Sequence, residues 1–258
     1  MATQAINVAG ARSNDARFFT VMAFVMAFVI VAGFGLNLAM GRSSFAVPAA
    51  YHIHAVIFMG WIALYLAQHI TASNRNWAMH QRLGQLAYVW VPSMVAAGCV
   101  IMIVVARRTG GPFFFAVNEF LISNLAGLLT FGGLAWWALR RQRYTGWHRR
   151  LMLVSMSVLT GPGLGRLLPM PFMIPYAWEI VTGLTLVFPI IGMIADKRRL
   201  GYVHPAYLWG TGIVAATFVG SMALAFSPPG YAFTEWVIAG SPGAGRPMEA
   251  FLPPGFPG

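Results

Sequence analysis

The sequence predicts an all-α integral membrane protein with seven transmembrane helices, and three observations carry that expectation. Hydrophobic residues fill 58% of the 258 positions and charged residues only 9%, against about 25% charged in an ordinary soluble domain. The apolar residues fall into runs long enough to cross a hydrocarbon core of about 30 Å, which takes about 20 helical residues. Basic residues gather in alternate connections between those runs.

The runs cover residues 18–40, 50–71, 83–106, 113–139, 148–166, 172–195 and 205–226. A polar arm, residues 1–17, precedes the first run. That run is far longer than the apolar part of a signal peptide, about 7–15 residues, so it is read as a retained helix. In the second run His52 and His54 are two residues apart, about 200° of helical rotation, and point to opposite faces. His54 heads a stripe with Phe58, Trp61, Tyr65 and Gln68, at the spacing of a packed helix face. The third and fifth runs open on similar strings, His80-Gln81-Arg82-Leu83 and His148-Arg149-Arg150-Leu151, and the seventh follows His204-Pro205. The runs before them carry His54, Glu119 and Glu179 near their other ends, at intervals of 26, 29 and 25 residues. Helix one is thus followed by three helical hairpins of similar dimensions. Gly161-Pro162-Gly163 interrupts the fifth run, either as unwound backbone lining a site or as small residues allowing close packing. The remainder, 227–258, is rich in Pro and Gly. Its segment 231–239 suits the outer interface through Tyr231, Phe233 and Trp236.

The net charge of +11 has a one-sided distribution. Twelve Lys and Arg lie in the N-terminal arm and after runs two, four and six, and five on the other side. This positive-inside pattern predicts a cytoplasmic N-terminus and a periplasmic C-terminus in a bacterial inner membrane, with the basic side facing anionic lipid. No basic face interleaved with aromatics suggests nucleic acid. Cys99 stands alone, which removes disulfides and cysteine-based metal sites. The single lysine, Lys197, lies in a connection, so no retinal Schiff base can form inside the bundle.

Two polar layers are the candidate sites. The outer one contains His54, Glu119 and Glu179, with Arg166 as a natural partner for either glutamate. Carboxylates at such depth face the bundle and need a partner. An ion pair, a ligand or proton site, and a metal held by His54, Glu119 and Glu179 all remain open. The inner layer contains His69, His80, His148 and His204 beside Arg82, Arg149 and Arg150. Two such imidazoles can clamp a b-type haem whose propionates meet the arginines, or hold another metal. Contacts to backbone and lipid headgroups are the structural alternative. A haem here would be a single bis-His site or would use Met152 or Met156. His54 and His69 sit about 22 Å apart along one helix, and no other run carries a matching pair.

The string Tyr51-His52-Ile53-His54-Ala55-Val56 through Trp61 and Gln68, then His80-Gln81-Arg82-Leu83-Gly84, resembles an uncharacterised group of bacterial polytopic membrane proteins. Those share an H-x-H-A…W…Q…H-x-R-L-G pattern, a later H-R-R-L, matched at 148–151, and G-x-x-x-G-R-L, matched at Gly161, Gly165, Arg166 and Leu167. The resemblance spans runs two to five and implies architecture but no chemistry. The H-x-x-L-G element is loosely similar to haem-binding membrane families, among them cytochrome b561-like proteins and haem A synthase. The missing second histidine pair departs from a b561-type electron path.

The leading expectation is an inner-membrane protein with a polar ligand or cofactor site inside the bundle, with b-type haem near the cytoplasmic face as the foremost cofactor. A small transporter or proton-coupled carrier built on His54, Glu119, Glu179 and Arg166 is the first alternative. An accessory subunit docked on a membrane partner through its tail is another. A membrane zinc hydrolase is the weakest, because no Asp lies inside a run and Asp196 stands at a boundary.

Overall fold

A computed structural model describes the backbone of residues 2–256 and side-chain surroundings from Asp15 onward. The earlier side chains of the arm, Arg12 among them, and the last two residues of the tail lie outside the described residues. Ten α-helices, and no strands, occur among the described residues: α1 (Ala2–Ala39), α2 (Ala49–Ser73), α3 (Trp77–Thr109), α4 (Val117–Arg140), α5 (Thr145–Val158), α6 (Gly161–Leu167), α7 (Ala177–Thr185), α8 (Val187–Leu200), α9 (Pro205–Ala225) and α10 (Pro228–Ile238).

Six apolar stretches are long enough to cross a membrane: Asp15–Ala39 within α1, then α2, α3, α4, Ala177–Leu200 and α9. These make the chain a multi-pass membrane protein. Large apolar side chains cover their outward faces, Phe28 at 71%, Val56 at 71% and Val89 at 72% exposed. A water-soluble fold would bury such a surface, whereas lipid tails solvate it.

The expected fifth span differs from the rest. It consists of α5 and α6, neither of membrane length, joined through Leu159 and Thr160. Pro162 has no N–H to offer the carbonyl of Val158, so the helical ladder lapses there. Before the break the chain tightens, with Leu159 N donating to Met156 O at 3.1 Å and Thr160 N to Ser157 O at 3.0 Å. Three buried hydroxyls bond back to carbonyls one turn earlier: Ser155 to Met152 at 2.9 Å, Ser157 to Val154 at 2.8 Å and Thr160 to Ser157 at 2.6 Å. Each hydroxyl thereby finds an acceptor for its own proton in an apolar interior. Residues 150–157 of α5 are all buried, so α5 is the central strut of the bundle. A similar break separates α7 from α8 at Leu186, where Pro189 deprives Thr185 O of its donor.

The glycines of α6 serve close packing. Gly163 meets α1 backbone to backbone, and a Cβ there would lie 2.8 Å from both Ile30 Cα and Val29 O. Neither atom can swing aside. Gly163→Ala is therefore expected to destabilise the fold by about 1–3 kcal/mol. Gly133→Ala, with nothing within 4 Å of the added carbon, serves as the control. Equal unfolding temperatures for the two variants in detergent would show that the α1–α6 contact yields freely.

The hairpins α2–α3 and α4–α5 pack closely, as expected, whereas α9 packs more extensively on α4 than on α8. Helix boundaries refine the expected positions of the histidines. Asn76 caps α3, accepting from Met79 N at 3.2 Å, which places His80 inside the first turn rather than ahead of it. His148 is likewise inside α5, while His204 does precede its helix as the N-cap of α9.

The tail is not loose. It forms α10 and a 3₁₀ turn at Pro242–Gly245, then runs back over the α3–α4 connection. Val117 N donates to Met248 O at 2.8 Å and Phe251 N to Phe113 O at 3.0 Å. Arg107 holds α10 by donating to Val237 O at 2.6 Å.

Candidate functional site

The six acidic residues of the chain sort into two places, and each place is a candidate site. Asp15 and Asp196 belong to an arginine network at the end of the bundle that carries the N-terminus of α5. Glu119, Glu179 and Glu249 line a cavity at the opposite end. Glu235 lies exposed on α10.

The network centres on Arg150, 1% exposed, and Asp196, 0% exposed. Their contact is bidentate, Nε to Oδ2 at 2.6 Å and Nη2 to Oδ1 at 2.7 Å. The same guanidinium donates to Gly146 O at 3.0 Å and stands 5.8 Å from the Tyr207 ring centre. Asp15 binds Arg149 and Arg199, the latter at 2.9 Å. Four helices, α1, α5, α8 and α9, thus meet around charges that need one another.

His204 joins this network. Its backbone N–H donates to Asp196 Oδ2 at 3.4 Å, and its Nδ1 accepts from Ala206 N at 3.1 Å. An accepting Nδ1 requires the neutral ring with its proton on Nε2. Burial, and then the Arg150 charge, push the His204 imidazole below its ordinary value, in keeping with that tautomer.

His69, His80 and His148 have partners of their own outside this network. His80 Nδ1 faces Gln68 O at 3.2 Å and His148 Nδ1 faces Ala138 O at 2.9 Å. The His69 ring lies edge-on to Tyr65 with centres 4.7 Å apart. The inner layer expected from sequence therefore divides, with His204 in the arginine network and the other three histidines outside it.

The outer layer also divides. Arg166 does not reach either glutamate. It donates to Pro162 O at 2.7 Å and lies over the Phe34 ring at 4.0 Å, because α6 packs on α1 and carries Arg166 with it. His54 is half-buried, stacked on Phe58 with ring centres 4.0 Å apart, and His52 is exposed on the opposite face as expected. The remaining stripe is packing: Trp61 and Tyr65 are buried, and Trp61 meets Phe131 edge-on. Among the described residues no group of three His, Cys, Asp or Glu is placed to hold a metal ion. The triad of His54, Glu119 and Glu179 considered from sequence does not assemble.

Glu119 and Glu179 do come together, each in the first turn of its helix, α4 and α7. They line a cavity of about 310 Å³ with Asn118, Tyr176 and, from the far end of the chain, Phe226, Tyr231, Met248 and Glu249. Glu119 is 4% exposed. No Arg or Lys lies within 4.0 Å of these three carboxylates among the described residues. Asn118 is fully buried and its Nδ2 donates to Ala225 O at 2.7 Å, which leaves Oδ1 without a donor. Glu179 Oε2 is buried without a donor as well. The cavity thus presents unmet acceptors.

Sequence reasoning missed Asp15, Asp196, Asn118 and the tail. Asp15 lay inside the expected arm, and Asp196 was noted only as a boundary residue, not as a partner for Arg150. A count of the six acidic residues was the available signal. Comparison with protein-family profiles, with curated proteins and with solved structures finds no match to this chain.

Proposed function

We propose that this chain is a proton-coupled carrier of the bacterial inner membrane whose ligand site is the cavity at Glu119 and Glu179. The observation that carries the reading is a buried set of acceptors with no cation beside it. Carboxylates removed from water require a proton or a bound cation, and exchange between the two couples ligand to protons. Two broken segments, α5–α6 and α7–α8, lie side by side, and the first turn of α7 lines the cavity; discontinuous helices are a recurring feature of secondary transporters. In this reading α5 and α6 together make the seventh crossing. The N-terminus is cytoplasmic and the cavity opens toward the periplasm, as the charge asymmetry suggests. The resemblance to polytopic bacterial membrane proteins is consistent with this architecture.

The test uses liposomes holding the purified protein and a luminal pH dye. Gradients of alkylammonium, Na⁺, Mg²⁺ and acetate are imposed in turn, with protein-free liposomes as background. At least one gradient is expected to move protons, and Glu119→Gln and Glu179→Gln each to reduce that rate about tenfold or more. Proton movement unchanged by both substitutions removes the carrier reading.

A second reading, b-type haem at the opposite end, is favoured by His80 and His148. Each has Nδ1 against a backbone carbonyl, which leaves Nε2 free in the manner of an oriented metal ligand. Arg82, exposed and outside the aspartate network, would meet a propionate. Protein purified from haem-sufficient cells should then show a Soret band that His80→Ala or His148→Ala abolishes. A protein that is colourless and iron-free sinks this reading.

A further inference from the structure

The unmet acceptors of the cavity narrow the ligand, and this step rests on the cavity being the ligand site. We propose that it takes a primary organic ammonium ion, R–NH₃⁺, with the nitrogen between Glu119, Glu179 and Asn118. An ammonium group carries three donors and no acceptor. The cavity answers with two carboxylates and one amide oxygen. The amide orientation is set by the structure itself: Ala225 O takes the Nδ2 donor, which leaves Oδ1 as the free acceptor of a residue that lines the cavity. The side chain is fully buried, and no protein donor completes it. An anion or a neutral acceptor would leave Asn118 Oδ1 and Glu179 Oε2 unmet, and a buried unmet acceptor is costly.

Size separates an organic cation from a bare ion. The volume, about 310 Å³, is at the lower end of small-molecule sites. A naked metal ion would need ligands converging to about 2–2.6 Å, whereas no metal-holding group forms among the described residues. Phe226 and Tyr231 add aromatic walls, which favour a cationic head with an apolar body.

The experiment is calorimetric titration of the full-length protein in detergent with 2-phenylethylammonium chloride, and with 2-phenylethanol as the neutral counterpart. Saturable binding of the ammonium alone is expected, weakened about tenfold or more by Glu179→Gln. Glu235→Gln, on exposed α10 outside the cavity, should bind as the parent does. Glu119→Gln is measured as well, and if it fails to elute as a folded species Glu179→Gln carries the test. Equal binding of the two compounds, no binding of the ammonium, or binding indifferent to Glu179→Gln overturns the proposal. In those cases Glu119-dependent proton movement driven by Na⁺ or Mg²⁺ in liposomes would leave the carrier reading standing with a different ligand. Loss of both results would end the two readings together.

Discussion

Asp196→Asn should lower the stability of the folded protein by about 3–5 kcal/mol, because it strands the Arg150 charge in a dry interior. Arg150 and Asp196 are almost fully enclosed and joined by two short hydrogen bonds. Asparagine keeps the shape and one acceptor but removes the countercharge. The loss reaches further than the pair, since Asp196 also receives the backbone N–H of His204, the cap of α9. The double variant Arg150→Met, Asp196→Leu should recover most of the stability, as apolar residues of similar volume often replace a buried pair without loss. Chemical denaturation in a mild detergent, followed by tryptophan fluorescence, reads both. If Asp196→Asn stays within about 1 kcal/mol of the parent, the range of exposed pairs, the network is open to water and does not hold the bundle.

Arg246→Gln should release the tail. The guanidinium donates to four carbonyls of the α3–α4 connection: Gly110 at 2.5 Å, Gly111 at 2.9 Å, Phe113 at 3.3 Å, and Phe115. Bonds to a charged donor contribute about 1.5–3 kcal/mol each when buried. Arg246 is only half-buried, so about 2–4 kcal/mol in total is expected for docking the tail. Amide exchange at residues 240–252 and 110–116 should rise by about a hundredfold, while α4 and α5 keep their protection. Met248 and Glu249 line the cavity, so the same substitution should weaken any ligand held there. Unchanged exchange at 240–252 would mean that Val117, Arg107 and the aromatic contacts dock the tail without Arg246.

Much of the fold was legible because a membrane simplifies the code. Long apolar runs must be helices, and six of the seven expected ones are. The seventh was the segment with Gly161-Pro162-Gly163, where the sequence already carried the break. Its consequence, close packing of Gly163 on α1, depended on a partner 130 residues away. Depth was legible too: Glu119 and Glu179 were expected at one level and line one cavity. Partners were not. Arg166 looked like their counterion by depth alone, yet helix rotation and the α1–α6 contact turn it onto Phe34. Depth along a span follows from sequence position, whereas the facing of a side chain around the bundle follows from which helices are neighbours.

The sequence by itself determined that this is a helical membrane protein, where six of its spans lie to within about six residues at each end, and which end is basic. It did so because hydrophobic length and charge asymmetry act locally, residue by residue. Only the tertiary structure decided which charges meet. It joined Asp15 to Arg149 and Arg199 across α1, α5 and α8, gathered Glu119 and Glu179 under a tail from the far end of the chain, and set Asn118 beside them with one oxygen unmet. Those pairings depend on helix order and rotation in the bundle, and no local pattern in a single chain encodes either.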